Sequence, residues 1–199
     1  RPGSPTKAFV WENGATRYLP ALPDAGPPGA GSTSVMAIDA RGVILGTSTT
    51  DGGTSVHPVL WRDGRIIDLG ALPGTRACYP STHTALFESG YIGGTCFEPD
   101  SGAARGFLWH RGTLTDVGNL GRPSAGVSAV NERGQAVGFS DVAGEGTHAF
   151  FWERGVITDL GTLGGTVSTP TDIDEQGRIT GVAEQANARS HAVLWLPRR

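Results

Sequence analysis

The sequence predicts an all-β protein, a small β-propeller most simply built from four blades of four short antiparallel strands. Tryptophan shows the period, because the five tryptophans are separated by 50, 48, 43 and 43 residues. They are Trp11, Trp61, Trp109, Trp152 and Trp195. Glycine and proline supply 31 and 13 of the 199 residues, as expected for a chain with many tight turns. A repeat of roughly 40–50 residues with a periodic aromatic is typical of propeller blades.

One predicted hairpin in each repeat begins at the tryptophan. Each tryptophan ends a short apolar run, which predicts a strand. Four of the five are followed three residues later by glycine, namely Gly14, Gly64, Gly112 and Gly155. The next strand follows in the near copies Ile66–Gly70, Leu114–Gly118 and Ile157–Gly161. The first repeat departs from this pattern, since Tyr18 replaces the aspartate.

A second predicted hairpin completes the unit. Ala37–Gly42, Ala129–Gly134 and Asp172–Gly177 each contain Asp or Asn followed three residues later by glycine. This pattern favours a type I turn, because the short side chain bonds the turn amides and glycine accepts a positive φ. In the second repeat Phe87 stands where Asp or Asn is expected. The unit is therefore predicted to have four short antiparallel strands.

We predict one domain over residues 1–199, with repeats at 7–56, 57–104, 105–147 and 148–190 and a closing strand at 191–195. Both ends of the chain carry the tryptophan-bearing strand, so the blades are expected to be out of phase with the repeats. The terminal strand is then expected to close the ring, which protects sheet edges. A five-bladed ring with one incomplete blade, or a ring completed by a second chain, are the alternatives.

Three segments recur with little change along the chain, His148–Trp152, Asp159–Gly165 and Val130–Gly138, and each has counterparts in the other repeats. These segments resemble the HAF repeat family of extracellular bacterial proteins. The resemblance covers nearly the whole chain and is weakest in the first two repeats. It implies a repeat scaffold and frequent secretion, and it brings no assigned reaction or catalytic residue.

Composition narrows the possible partners. A net charge of −3 and a pI near 5.9 argue against nucleic-acid binding, which needs a concentrated basic face. No apolar run approaches the roughly 18 residues of a membrane span. The sequence contains no nucleophile elbow, phosphate loop, zinc signature or dinucleotide fingerprint, so we predict neither cofactor nor metal and identify no catalytic residue.

Residues that recur at one position of several repeats are interpreted as structural. The tryptophans could stack on sugars, but their constant position favours packing between blades. The same reasoning applies to the histidines His57, His148 and His191, and to the aspartates Asp68, Asp116 and Asp159. The aspartates are expected to bond backbone amides near a strand end.

Function is more plausible where the repeats disagree, and the second repeat departs most. Its segment 73–84 is about three residues longer than in the third and fourth repeats. Such a connection would lie at the mouth of a propeller channel. Arg76, Tyr79 and His83 are therefore our candidate ligand-binding residues, as anion clamp, stacking surface and polar or acid–base group. An ordinary surface loop is the alternative.

The two cysteines also belong to the second repeat. Cys78 and Cys96 flank the predicted 85–94 hairpin, so they could approach each other. We expect Cys78 about three residues beyond the direct partner of Cys96, so that the loop must fold back to form a disulfide. A disulfide would fit an oxidising compartment, and two free thiols are the alternative.

Three functions remain open from the sequence. The preferred hypothesis is a secreted recognition module that binds a small molecule, glycan or peptide at the channel mouth. The second is a cofactor-free cyclase or isomerase of bacterial small-molecule biosynthesis, which would be cytoplasmic. The third is a structural domain of a larger surface protein. A deep, mostly apolar pocket would favour the enzyme, and a shallow aromatic-rimmed face would favour binding.

Overall fold

The computed structural model describes residues 5–27, 30–82, 89–144 and 146–197, and within them the chain is all-β. It starts with an N-terminal hairpin of β1 (Phe9–Glu12) and β2 (Ala15–Tyr18). One 3-10 turn at Asp51–Gly53 is the only helical segment among the described residues. No described helix has the length and apolarity needed to traverse a bilayer.

Three antiparallel sheets of four strands follow. Sheet 1 contains β3 (Thr33–Ile38), β4 (Ile44–Thr50), β5 (Ser55–Arg62) and β6 (Arg65–Asp68). Sheet 2 contains β7 (Ala77–Pro80), β8 (Tyr91–Phe97), β9 (Ala104–His110) and β10 (Thr113–Asp116). Sheet 3 contains β11 (Gly121–Val130), β12 (Ala136–Val142), β13 (Thr147–Glu153) and β14 (Val156–Asp159).

Sheet 4 has three described strands, β15 (Gly164–Ile173), β16 (Ile179–Gln185) and β17 (Ser190–Trp195). Single parallel contacts, Val56 with Ala77 and Thr147 with Val167, link neighbouring sheets. The tryptophan lies on the third strand of each four-stranded sheet, so each sheet begins in the middle of a repeat. The predicted phase shift between sheets and repeats is confirmed.

The hairpins that follow Trp11, Trp61, Trp109 and Trp152 form as predicted. The residue before the turn glycine also has a positive φ, near 50° at Asn13, Asp63, Arg111 and Arg154. Two consecutive left-handed residues define a type I′ turn, which matches the twist of a two-residue hairpin. The Asp/Asn turn between first and second strands is also present, with Asn131 Oδ1 accepting from the amides of Arg133 and Gln135.

The sheets stack through two distinct faces. The front face carries the tryptophan and the residue two positions before it, whereas the back face carries the residues one and three positions before it. In sheet 1 the front-face residues Val59 and Trp61 are buried against Ala8 and Leu19 of the N-terminal hairpin. The Trp61 indole N–H donates to the Pro20 carbonyl over 2.9 Å. The predicted packing role of tryptophan is confirmed at this junction.

The other junctions repeat this arrangement. In each, a front-face aromatic shares a hydrophobic cluster with back-face residues of the preceding sheet. The clusters unite Phe107 with Leu60, Trp152 with Leu108, and Trp195 with Phe151. Burial of large aromatics in this way stabilises the contact between sheets.

A glycine on each second strand makes room for the first strand and for the aromatic or aliphatic side chains between sheets. A Cβ at Gly138 would collide with the Gly126 carbonyl oxygen and come within 2.7 Å of the Phe150 ring. Gly46, Gly94 and Gly181 occupy the same repeat position and meet the same obstacle. The small residue that the sequence places here is therefore a packing requirement.

The predicted closure of the ring is not present in the described residues. β17 pairs with β16 as the third strand of sheet 4, and β1 pairs only with β2. The two segments share no sheet, so no strand pairing among the described residues closes the array. The described strands do not form a closed ring of four blades, and ring closure stays a prediction.

Candidate functional site

The predicted channel-mouth residues have separate environments. The Arg76 Nε donates to the Thr54 carbonyl over 2.6 Å, and its backbone N–H donates to the Phe97 carbonyl. The Tyr79 ring is 44% exposed and packs edge-on against Phe97, with ring centroids 6.2 Å apart. Residues three apart on extended backbone point to opposite faces, so these two side chains do not converge. His83 lies outside the described residues, and the three-residue site stays a prediction.

The cysteines form a disulfide, with an S–S distance of 2.08 Å. Cys78 on β7 and Cys96 on β8 are direct cross-strand partners, with Cα atoms 3.9 Å apart. The expected three-residue offset was therefore wrong. β7 pairs in register up to Pro80, so no fold-back of the loop is needed. Both cysteines are fully buried in the cluster between sheets 1 and 2.

A pair of one basic and one acidic side chain joins the third and fourth strands of every four-stranded sheet. The pairs are His57 with Asp68, Arg105 with Asp116, and His148 with Asp159. Each aspartate also accepts the N–H of the glycine two residues later, at Gly70, Gly118 and Gly161. The predicted backbone role of the aspartates is confirmed. These histidines hold strand ends together, which accounts for their repetition.

A cationic groove lies between sheets 2 and 3, with a volume of about 520 Å³. It is lined by Arg111, Arg133 and Arg154 and by Thr113 and Thr115. The other lining residues are Tyr91, Leu108, His110, Gly134 and Trp152. The lining contains no carboxylate, so the groove favours an anion.

An aromatic stack supports one side of this groove. Tyr91 on β8 lies directly opposite His110 on β9, and their rings stack with centroids 3.8 Å apart and planes 15° apart. Gly134 contacts the Tyr91 ring so closely that a Cβ there would come within 2.6 Å of it. Tyr91 is thus packed between sheets 2 and 3 at one side of the groove.

Two of the groove arginines adopt a backbone conformation that arginine disfavours. Arg111 has φ 48° and Arg154 has φ 51°, whereas the same turn position holds Asn13 and Asp63 in the first two repeats. Asn and Asp tolerate left-handed backbone, but other L-residues lose roughly 1–2 kcal/mol there. Backbone strain of this kind is concentrated at functional sites. The position therefore places guanidinium groups in the groove at a cost in stability.

The grooves at the neighbouring junctions differ in how their arginines are paired. Between sheets 1 and 2 the groove of about 300 Å³ is lined by Arg41, Arg62 and Arg111, and two of these are paired, Arg41 with Asp39 at 2.9 Å and Arg62 with Asp63 at 3.6 Å. Between sheets 3 and 4 the groove of about 500 Å³ contains the carboxylates of Glu153 and Asp159. Arg111 and Arg154 have no side-chain partner among the described residues, which leaves their donors available.

Sequence reasoning missed this groove although a signal was present. The position two residues after tryptophan changes from Asn13 and Asp63 to Arg111 and Arg154, a disagreement between repeats of the kind that marks function. Their convergence with Arg133 depends on how neighbouring sheets stack, which the sequence does not display. Within the described part of the chain, no cluster of three or more His, Cys, Asp or Glu could hold a metal ion.

Comparison with known proteins identifies a fold only. No family model and no curated protein matches the chain. Among solved structures it is similar to TolB from Acinetobacter baumannii, with a TM-score of 0.52 and 10% identity, over 90% of this chain and 43% of that one. The β-propeller domain of the trilobed protease from Pyrococcus furiosus, which has an open velcro topology, matches with a TM-score of 0.49 and 12% identity. That match covers 91% of this chain and 51% of the other.

The chain thus spans about half or less of the structures it resembles. The similarity to TolB supports a β-propeller fold, as the sequence predicted.

Proposed function

We propose that this protein is a recognition module that binds a small anionic molecule in the groove between sheets 2 and 3. The groove supports this proposal because three arginines line it without a carboxylate. Guanidinium groups bind carboxylate and phosphate oxygens through paired hydrogen bonds. The ligand is therefore a carboxylate or phosphate compound, which a free small molecule, an acidic glycan or a peptide carboxylate could each provide.

The observation that carries the proposal is the left-handed backbone of Arg111 and Arg154. At the same turn position the first two repeats use residues that suit this backbone. Both arginines have this unfavourable backbone, and their side-chain donors are unpaired among the described residues. This combination indicates that the arginines are needed for something other than stability.

Secretion remains part of the proposal. The buried Cys78–Cys96 disulfide supports an extracellular or otherwise oxidising location, where such bonds persist. The alternative of a cofactor-free cyclase or isomerase stays a prediction. We keep the recognition role as the preferred one.

The test combines native mass spectrometry of the purified protein with calorimetric titration of citrate and of pyrophosphate. We expect an anion to co-purify or at least one probe to bind, with affinity falling as salt rises. The double substitution Arg111→Asn and Arg154→Asn is expected to reduce binding at least about tenfold, because each lost charge-assisted hydrogen bond is worth roughly 1.5–3 kcal/mol.

The matched control removes two positive charges elsewhere, through Arg17→Asn and Arg189→Asn at exposed positions, and should leave binding nearly unchanged. Joint substitution of Arg76, Tyr79 and His83 distinguishes the groove from the predicted channel mouth. Loss of binding in that triple variant with retention in the groove variant would place the site at the channel mouth. Absence of any bound anion in all experiments would contradict the proposal.

A further inference from the structure

The turn between β9 and β10 separates two grooves. On one side lies the groove between sheets 2 and 3, and on the other side lies the groove between sheets 1 and 2. Arg111 is in this turn and lines both grooves. The two grooves are therefore neighbours at one end of the sheets, and a ligand that contacts Arg111 is within reach of both.

Both grooves favour negative charge. Their described lining residues include no aspartate or glutamate. In the groove between sheets 1 and 2, Arg41 is neutralised by the buried carboxylate of Asp39. Arg62 is only loosely paired, since its Nε lies 3.6 Å from Asp63 and both side chains are exposed. Exposed pairs of this kind contribute little, so Arg62 and Arg111 are available to an anion in this groove.

Each groove also has an aromatic side chain that is partly exposed. Successive residues of β9 point to opposite faces, so Trp109 lines the groove between sheets 1 and 2 and His110 lines the other. Trp109 is only partly buried, whereas Trp61 and Trp152 at the same repeat position are 2% and 7% exposed. On the other side, Tyr91 and His110 form a stack that is partly exposed. A flat aromatic surface therefore lies on each side of the turn.

The stacking of the sheets sets the distance between the two grooves. Sheets that pack face to face lie roughly 10 Å apart, and the grooves on the two sides of sheet 2 are separated by one such step. A chain of pyranose rings with a carboxylate on every second ring repeats its charge over a comparable length, and its apolar ring faces suit aromatic side chains. A polyphosphate carries its charges much closer together and has no apolar face.

We infer that the ligand is an acidic polysaccharide with a carboxylate on every second ring, bound across both grooves. One carboxylate lies on each side of Arg111, whose five N–H donors are enough to serve both. This assignment rests on the proposed function, and it adds Arg62 and Trp109 to the binding site. A tetrasaccharide is the shortest such ligand that contains two carboxylates.

Calorimetric titration with hyaluronan oligosaccharides tests the assignment, because hyaluronan carries a glucuronate on every second ring. We expect the tetrasaccharide to bind at least about tenfold more tightly than the disaccharide, since its second carboxylate binds as part of the same molecule. The tetrasaccharide of chitin has rings of the same size without carboxylates, and it should bind much more weakly than the hyaluronan tetrasaccharide.

Substitutions at the second groove separate the two carboxylate positions. Arg62→Gln should weaken tetrasaccharide binding at least about fivefold and leave disaccharide binding within about twofold, because only the longer ligand reaches Arg62. Arg65→Gln is the matched control, since Arg65 lies directly opposite Arg62 in the hairpin, is exposed and lines neither groove. Asp63→Asn suits the φ of 50° at that position, and it should tighten tetrasaccharide binding by releasing Arg62.

Equal affinities for the two hyaluronan lengths would overturn the inference. So would a length effect that survives Arg62→Gln, or chitin binding as tight as that of hyaluronan. A larger gain from pyrophosphate to a longer polyphosphate than from disaccharide to tetrasaccharide would overturn the assignment to a polysaccharide. In each of these cases, citrate or pyrophosphate binding that is lost on Arg111→Asn and Arg154→Asn would still support the proposed function, so the two proposals fail separately.

Discussion

The Nδ1 atom of His57 lies 3.0 Å from each carboxylate oxygen of Asp68, and this contact joins the third and fourth strands of sheet 1. The hydrogen bond to Asp68 raises the pKa of His57 above its ordinary value of 6.5, although partial burial of the ring opposes the shift. Burial also opposes the change at Asp68, but hydrogen bonds from His57 and the Gly70 amide lower the pKa of that carboxyl. The folded protein thus favours the charged pair.

Stability should therefore depend on pH through His57. A raised folded-state pKa contributes stability that is complete below about 6.5 and is lost as pH rises through the folded value. We expect the free energy of unfolding in urea to fall above pH 6.5 by less than about 1 kcal/mol, because the pair is partly exposed. His57→Gln should remove this component, whereas His191→Gln, at an exposed repeat-equivalent position, should not.

Removal of the disulfide should destabilise the protein markedly. Cys78 and Cys96 are 18 residues apart in sequence, and a loop of this length is worth about 3 kcal/mol when closed. The double variant Cys78→Ala and Cys96→Ala should lower the urea midpoint accordingly. Dithiothreitol should lower the midpoint of the unsubstituted protein and leave that of the double variant unchanged. Equal midpoints for the oxidised protein and the variant would contradict a structural disulfide.

Trp61 and Trp11 occupy the same repeat position but differ in burial, so they form a matched pair for substitution. Trp61→Ala should cost about 3–5 kcal/mol, because it empties a buried site and leaves the Pro20 carbonyl without its donor. Trp11→Ala should cost less than about 0.5 kcal/mol in dilute monomer, since its side chain is largely in water. Equal losses in denaturant unfolding would show that the hairpin face is covered in the monomer.

Any side chain added at the glycine on the second strand should destabilise the protein. Gly138→Ala should cost at least about 3 kcal/mol, since its Cβ would meet the Gly126 carbonyl and the Phe150 ring. Gly64→Ala is the control, because its Cβ would meet open space and only its φ of 74° is unfavourable, at about 1–2 kcal/mol. A smaller loss at Gly138 than at Gly64 would refute the packing argument.

Relief of the backbone strain at Arg111 and Arg154 should increase the free energy of unfolding. Arg111→Asn and Arg154→Asn together should raise the free energy of unfolding by roughly 1 kcal/mol, because asparagine tolerates left-handed backbone. The reverse change Asn13→Arg, at the equivalent turn with φ 51°, should lower it. Thermal unfolding at low protein concentration measures both. A loss of stability in the asparagine double variant would mean that the arginines support the fold.

Much of the architecture was predictable because it depends on residues that are close together in sequence. The Trp-x-x-Gly hairpins and the Asp/Asn turns depend on φ values that glycine and short polar residues supply within a few positions of chain. The phase shift between repeats and sheets followed from counting tryptophan-bearing strands. The register of β7 was not predictable, because the longer connection before it concealed the direct pairing of Cys78 with Cys96.

The amino-acid order alone determined the repeat, the turns, the strand-end aspartates and the packing role of the buried tryptophans, since each is set by short-range backbone preference and apolar periodicity. Only the tertiary structure decided which tryptophan stays exposed, where the array remains open and which arginines share a groove. Those outcomes depend on how one sheet rests on the next, and Arg111 and Arg133 become neighbours through that stacking although different sheets carry them.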